Sequence, residues 1–172
     1  STKAWVANNR DEGKHFTYVA GGTSVEDANP TTGDARSAAL KDEYIVNLTT
    51  GVVDMGGNSV ASSDFAPYIA GLIAGTPINQ SITYKTLPVS DVTKRLKNSE
   101  VESALVAGSL VFVKNGYDVL IEQGVTTDSD NQKRGKIRTT RAKQAIATAL
   151  PMAAKANYIG KVDNNENGQA SL

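Results

Sequence analysis

Ala70-Gly71-Leu72-Ile73-Ala74-Gly75-Thr76-Pro77-Ile78-Asn79-Gln80-Ser81-Ile82-Thr83 reads as a small-residue helix that stops and runs into a polar strand entry. Gly71 and Gly75 are four apart, so they share one helix face, where the missing Cβ lets another backbone approach closely. Gly75 suits a left-handed residue past the helix end, and Pro77 forbids resumption. The segment carries no catalytic group.

Upstream, Phe65, Ile69, Leu72 and Ile73 form an apolar stripe that predicts a helix from about Asp64 to Ala74. With Asp64 as N-cap, Pro67 falls in the first turn, where its missing N–H leaves no bond unmade. Downstream, Ile82 and Tyr84 predict a strand ended by Leu87-Pro88. Nearer the N-terminus, Ala4 to Ala7, Phe16 to Ala20 and Tyr44 to Leu48 read as strands. Asn29 to Gly33 reads as a loop, and Asp34 to Lys41 as a short helix with Ala35, Ala38 and Ala39 at helical spacing.

In the second half, Ser99 and Glu102 match a capping box for a helix ending at Gly108. Leu110 to Lys114 and Tyr117 to Glu122 flank Asn115-Gly116, the pattern of a tight type I′ hairpin. Lys136 to Arg138 predicts a short strand. A last helix follows from near Thr140, with Ala142, Ile146, Ala149, Leu150 and Ala153 on one face and a kink at Pro151. The pattern is α+β: mixed sheet layers with flanking helices. It suggests a β/α lobe over 1–85 and a helix–hairpin–strand–helix lobe over 86–172.

Composition narrows the function. The 172 residues carry 18 basic and 18 acidic side chains, so no net charge draws the chain to nucleic acid or an anionic membrane. Without cysteine there is no disulfide framework, thiol chemistry or cysteine-ligated zinc. The most apolar run, Phe65 to Ala74, is about half the roughly 20 residues a membrane span needs. The chain begins without Met beside an apolar segment and ends just after a turn, so both ends read as cut.

No ionisable constellation stands out. His15 is the single histidine and reads as a surface residue at a strand entry. Asp163, Asn165, Asn167 and Gly168 copy half of an EF-hand loop, but its twelfth-position Glu would fall beyond Leu172; an Asn-rich turn is the simpler reading. Gly21-Gly22 follows a strand but lacks the Lys-Ser/Thr of a P-loop. Asp128 and Asp130 sit beside Lys133 and Arg134, as in a solvated loop. No metal or cofactor is expected. The basic clusters Lys94 to Lys97 and Arg134 to Arg141 are candidates for facing acidic patches on a neighbouring copy.

Taken together the segments resemble the tail sheath proteins of contractile phages, in particular the Gram-positive prophage type. The most specific likeness is Ala70 to Pro77 followed by Ser81-Ile82-Thr83, with Gly71, Gly75, Pro77, Ser81 and Thr83 as signature positions. Ile121 to Thr127, Lys136 to Arg138, Tyr158 to Asn165, the Ala4 to Ala7 segment and the Arg36 helix also fit. One departure lies at Lys143-Gln144, where the family usually carries an Asp.

The resemblance implies a structural subunit of a virion tail, made in the host cytoplasm and not an enzyme. Such subunits stack as hexameric rings around a tail tube, contract on a baseplate signal, and are tied by terminal arms that add strands to neighbouring sheets. This chain would be the central part of one, monomeric by itself. Two other readings remain open: a small α+β enzyme using the Gly21-Gly22 or Asp128-Asp130 loops for a phosphate or metal, and a baseplate or bacteriocin module of the same machinery.

Overall fold

The computed structural model describes residues 1–130 and 135–159. Within them the chain is α+β, with six helices and three small sheets of three strands each. The half EF-hand at Asp163 to Gly168 lies outside the described residues, as do Lys133 and Arg134.

Helix α1 (Thr2–Asp11) replaces the strand expected at Ala4 to Ala7. Ser1 accepts from the Ala4 N–H at 3.4 Å, and the polar residues after Ala7 continue the helix. Val6 and Arg10, four apart, share the face turned inward. Val6 is fully buried with Tyr44 and Ile45, while Arg10 donates to both Asp42 carboxylate oxygens at 3.1 Å. Tertiary packing of that face outweighs local strand propensity.

Strand β1 (Tyr18–Ala20) leads through α2 (Ser24–Asp27) and α3 (Pro30–Leu40) to β2 (Ile45–Leu48). The expected loop at Asn29 to Gly33 is the start of α3, with Pro30 in the first helical position, where its fixed φ suits the helix. The face of α3 turned inward is Gly33 and Ser37; Ala35, Ala38 and Ala39 are exposed. A Cβ on Gly33 would stand 2.6 Å from Thr49 Cγ2, so glycine permits the approach of α3 to the end of β2.

Strand β2 is buried at every position, as expected of the middle strand of a parallel sheet. It pairs with β1 (Tyr18↔Ile45, Val19↔Val46, Ala20↔Asn47) and with β7 (Ser109–Leu110; Asn47↔Ser109, Leu48↔Leu110). A second sheet orders β4 (Ser59–Val60), β3 (Val52–Val53) and β6 (Asp91–Val92) antiparallel. The third places β5 (Thr86–Leu87) and β8 (Phe112–Asn115) on either side of β9 (Asp118–Ile121). Two of the three sheets draw strands from both sides of residue 86.

The run from Leu110 to Lys114 therefore divides between two sheets at Val111. The hairpin is real, but Asn115 pairs with Asp118, so the two-residue loop is Gly116-Tyr117 rather than Asn115-Gly116. Gly116 has φ +60° and Tyr117 is not left-handed, the sign pattern of a type II′ turn and not of the expected I′.

Helix α4 spans Ser62–Gly75, with Ala61 as N-cap in place of Asp64, so Pro67 lies one turn deeper than expected. Phe65, Ile69 and Ile73 join Val46, Leu48, Leu110, Phe112, Val119 and Ile121 in the main core. Gly75 is the last helical residue and Thr76 caps in extended backbone, so no left-handed residue is used there. After it, Ile82 is buried, and Tyr84 sits at φ +58° in a turn while its N–H already donates to the Ile121 carbonyl at 2.7 Å, just ahead of β5.

Helix α5 (Asn98–Val106) starts two residues before the expected box: Glu100 Oε2 accepts from the Lys97 N–H at 2.7 Å. It does end at Gly108, φ +82°, where a Cβ would press on the Thr126–Thr127 backbone. Lys136 forms an isolated bridge with Val125, and Ile137 already opens α6 (Ile137–Asn157), so no Lys136 to Arg138 strand forms. The helix runs through Pro151. Its inward residues are Ile137, Thr140 and Gln144; the face expected to pack is open, with Ile146 59% and Leu150 65% exposed.

Candidate functional site

Three arrangements bear on function: a buried polar frame, the junction that holds the start of α4, and the open faces of α4 and α6.

The frame begins with Asn47, the one polar residue in the apolar run of β2. Its amide donates to the Gly33 carbonyl at 2.9 Å and Ser37 Oγ at 2.7 Å, and its carbonyl accepts from Arg36 Nε at 2.7 Å. Arg36 also donates to the Leu48 carbonyl at 2.9 Å and pairs with Glu26 at 3.4 Å. Ser37 and Ser109 hydroxyls meet at 2.8 Å, and Ser109 donates to Asp34 at 2.7 Å. Burial raises the Asp34 carboxyl above its ordinary value, against the Ser109 bond. Every member is bonded, so the frame locks α3 onto β2 and β7.

A second junction holds the start of α4. Ser62 donates from its N–H (2.7 Å) and its hydroxyl (2.6 Å) to the two oxygens of Asp27, and accepts from the Gly22 N–H at 2.6 Å. Ser63 N–H donates to the Gly22 carbonyl. Asp27 thus takes the place of the missing side-chain cap, and its buried carboxyl is raised by desolvation against the Ser62 bonds. A Cβ on Gly21 would lie 2.3 Å from the Ser62 backbone. Gly21-Gly22 is therefore packed against the N-terminus of α4, and Ser62 takes up the Gly22 N–H that a P-loop would offer to a phosphate.

The other candidate sites are similarly accounted for. Asp130 pairs with Lys41 at 2.6 Å, and Asp128 lines an open cavity of about 690 Å³ between α5 and the β8–β9 hairpin. Among the described residues no three His, Cys, Asp or Glu side chains converge as a metal site. Among them, too, no helix is long and apolar enough to cross a membrane. His15 Nδ1 lies 2.8 Å from the Tyr44 hydroxyl. At Lys143-Gln144, Lys143 pairs with Glu43 and Gln144 donates to the Phe16 carbonyl at 2.8 Å, tying α6 beside α1 and β1.

The signature positions divide into two groups. Ser81 donates to Thr83 at 2.9 Å, and Thr83 accepts from the Gly124 N–H at 3.0 Å, so this pair fastens the α4–β5 connection to the end of β9. Gly71, Gly75 and Pro77 are exposed. A Cβ on either glycine would meet nothing within 4 Å, so among the described residues no backbone makes the expected close approach. Tyr68, Gly71, Ala74 and Gly75 form one open face of α4. On α6 the uncharged stretch from Gln144 to Ala154 exposes Ile146, Leu150 and Met152.

The frame and the Asp27–Ser62 junction were missed in the sequence, although Asn47 interrupting a β-branched run was a visible signal. Asp27 gave none, because its partner is 35 residues away.

The model of the phage tail sheath protein central domain matches residues 1–127, and the chain belongs to that family of sheath proteins. The tail sheath protein of Clostridium phage phiCD119 is 24% identical over 147 residues, 81% of this chain and 41% of that protein. The tail sheath protein of Staphylococcus phage Twort is 25% identical over 166 residues, 91% of this chain and 28% of that protein. A phage-like element PBSX protein of Bacillus subtilis is 29% identical over 122 residues.

Among solved structures, a sheath tail protein from Desulfitobacterium hafniense superposes with a TM-score of 0.82 at 24% identity, covering 99% of this chain and 39% of that one. A chain of the anti-feeding prophage baseplate reaches 0.71 at 16% identity, covering 98% and 45%. These likenesses establish the shared fold. The chain spans less than half the length of these relatives.

Proposed function

We propose that this chain is the central part of a contractile tail sheath subunit, which stacks with copies of itself as hexameric rings around a tail tube and contracts to drive that tube through a cell envelope. The observation that carries the reading is the pair of open, uncharged helix faces on α4 and α6, in a chain of the sheath family. Exposed apolar surface of this kind marks a packing interface. The frame behind it is bonded throughout, which suits a rigid unit that transmits load. Contraction would draw on the difference in buried area between two arrangements of such units, with no chemistry inside the subunit. Tail tube and baseplate proteins are the further partners of this reading.

Electron microscopy of the gene product with its flanking segments tests it: tubes are expected, and Leu150→Asp should abolish them while leaving the fold intact. Soluble particles that never polymerise, or that join only a baseplate complex, would overturn it in favour of a baseplate module. The chain alone should elute as a monomer.

A further inference from the structure

The tip of the β8–β9 hairpin carries an arrangement that the sheath reading does not use. Asn115 is the last paired residue of β8, opposite Asp118, and both are exposed. The next residue, Gly116, has no side chain to shield its backbone nitrogen, and even an added Cβ there would meet nothing within 4 Å. Among the described residues the Gly116 N–H and the Asn115 side-chain amide take part in no hydrogen bond. Tyr117, the other loop residue, is 98% exposed.

Three other asparagines among the described residues are held. Asn47 is buried with three partners, Asn58 donates its amide to Asp54 at 3.0 Å, and Asn9 donates to the Trp5 carbonyl at 2.9 Å. We propose that Asn115 is a site of spontaneous covalent modification, converting to aspartate and isoaspartate through a cyclic imide closed by Gly116. The Gly116 nitrogen attacks Asn115 Cγ and loses its proton; the C–N bond to Nδ2 breaks and ammonia leaves. Water then opens either carbonyl of the succinimide, giving aspartate or a main chain rerouted through Cβ. No electrons are exchanged. Opening of the terminal Asn115–Asp118 rung frees the backbone to reach the ring-closing geometry, and hairpin ends open at low cost.

The product has two consequences. It sets a carboxylate directly across the ladder from Asp118, and like charges so placed repel. The isoaspartate form also lengthens the turn that Lys114 braces, through its bonds to the Tyr117 carbonyl at 2.8 Å and the Ser90 carbonyl at 2.6 Å.

The chain, incubated in mildly alkaline buffer at physiological temperature and digested with trypsin, tests this. The fragment that begins at Asn115 after cleavage at Lys114 should gain the mass of an amide-to-acid exchange, located at Asn115 by fragmentation. It should also become a substrate for isoaspartyl methyltransferase, several-fold faster than the fragments holding Asn9, Asn47 or Asn58. Asn115→Gln should remove the signal without changing the fold. An unmodified fragment in the folded chain, with conversion only in denaturant, would overturn the proposal. So would a mass gain located at Asn131 that persists in Asn115→Gln.

Discussion

Arg141 of α6 donates from Nη1 to the carbonyl of Thr76 at 2.7 Å, at the residue that caps α4. Its Nη2 reaches toward the Ala74 carbonyl at 3.5 Å. The last carbonyls of a helix lack intrahelical partners and carry partial negative charge, so a guanidinium there satisfies both needs. Lys85 adds a bond to the Thr76 hydroxyl at 3.3 Å. The end of the signature helix is thus closed by a residue 65 positions away.

Replacing Arg141 with Ala should therefore destabilise the chain by about 1.5–3 kcal/mol, the range for a hydrogen bond to a charged group. Urea unfolding would show a lower midpoint at unchanged slope. A midpoint equal to wild type would mean that water replaces the guanidinium without loss.

At the other end of α4, Asp27→Asn keeps the shape but turns an NH₂ toward one of the two Ser62 donors. The expected cost is about 1–3 kcal/mol, the penalty for a buried donor left unpaired. Ser62→Ala should cost a similar amount, and the double variant less than the sum, because both remove the same junction. Full additivity in that cycle would contradict the coupling.

Asp34 makes a pH prediction. Its folded value is raised by burial above the ordinary carboxylate value of 3.8. A group of this kind favours folding while protonated, and that contribution is lost as pH rises from the unfolded value through the raised one. Asn at this position still accepts from Ser109 but does not titrate. Across that window Asp34→Asn should thus gain stability relative to wild type as pH rises, measured by thermal unfolding at matched ionic strength. A gap between the two proteins that stays constant with pH would show that Asp34 does not titrate as the structure implies.

The glycines separate local from assembled roles. Gly21→Ala places a Cβ against the Ser62 backbone and should cost several kcal/mol or prevent folding. Gly71→Ala meets open space in an exposed helix interior, so the isolated chain should become more stable by about 0.5–1 kcal/mol. If the α4 face packs between subunits as proposed, the same substitution in the assembling protein should reduce tube formation. Unchanged tubes would remove α4 from the interface.

Much of the framework was legible from pattern. Phe65, Ile69 and Ile73 recur at helical spacing and do enter the core; Ile45 to Leu48, apolar except at Asn47, is a strand as expected; Gly108 ends α5. The errors have physical causes. Ala4 to Ala7 is too short to distinguish strand from helix by periodicity, and the face shared by Val6 and Arg10 decided it through contacts with Ile45 and Asp42. At the hairpin, pairing of Asn115 with Asp118 moved the loop by one residue. Lys136 to Arg138 joined a helix because Ile137 is buried there instead of in a strand.

Local sequence alone determined the α+β class, the strand at Ile45 to Leu48 and the core stripe of α4, and its motifs carried the family likeness, since each rests on residues close in sequence. Only the tertiary structure decided that Gly21 makes room for α4, that Asp27 and Arg141 close its two ends, and that Gly71, Gly75, Ile146 and Leu150 face outward. Those outcomes depend on which distant surfaces meet, and burial is a property of the folded packing that local periodicity does not encode.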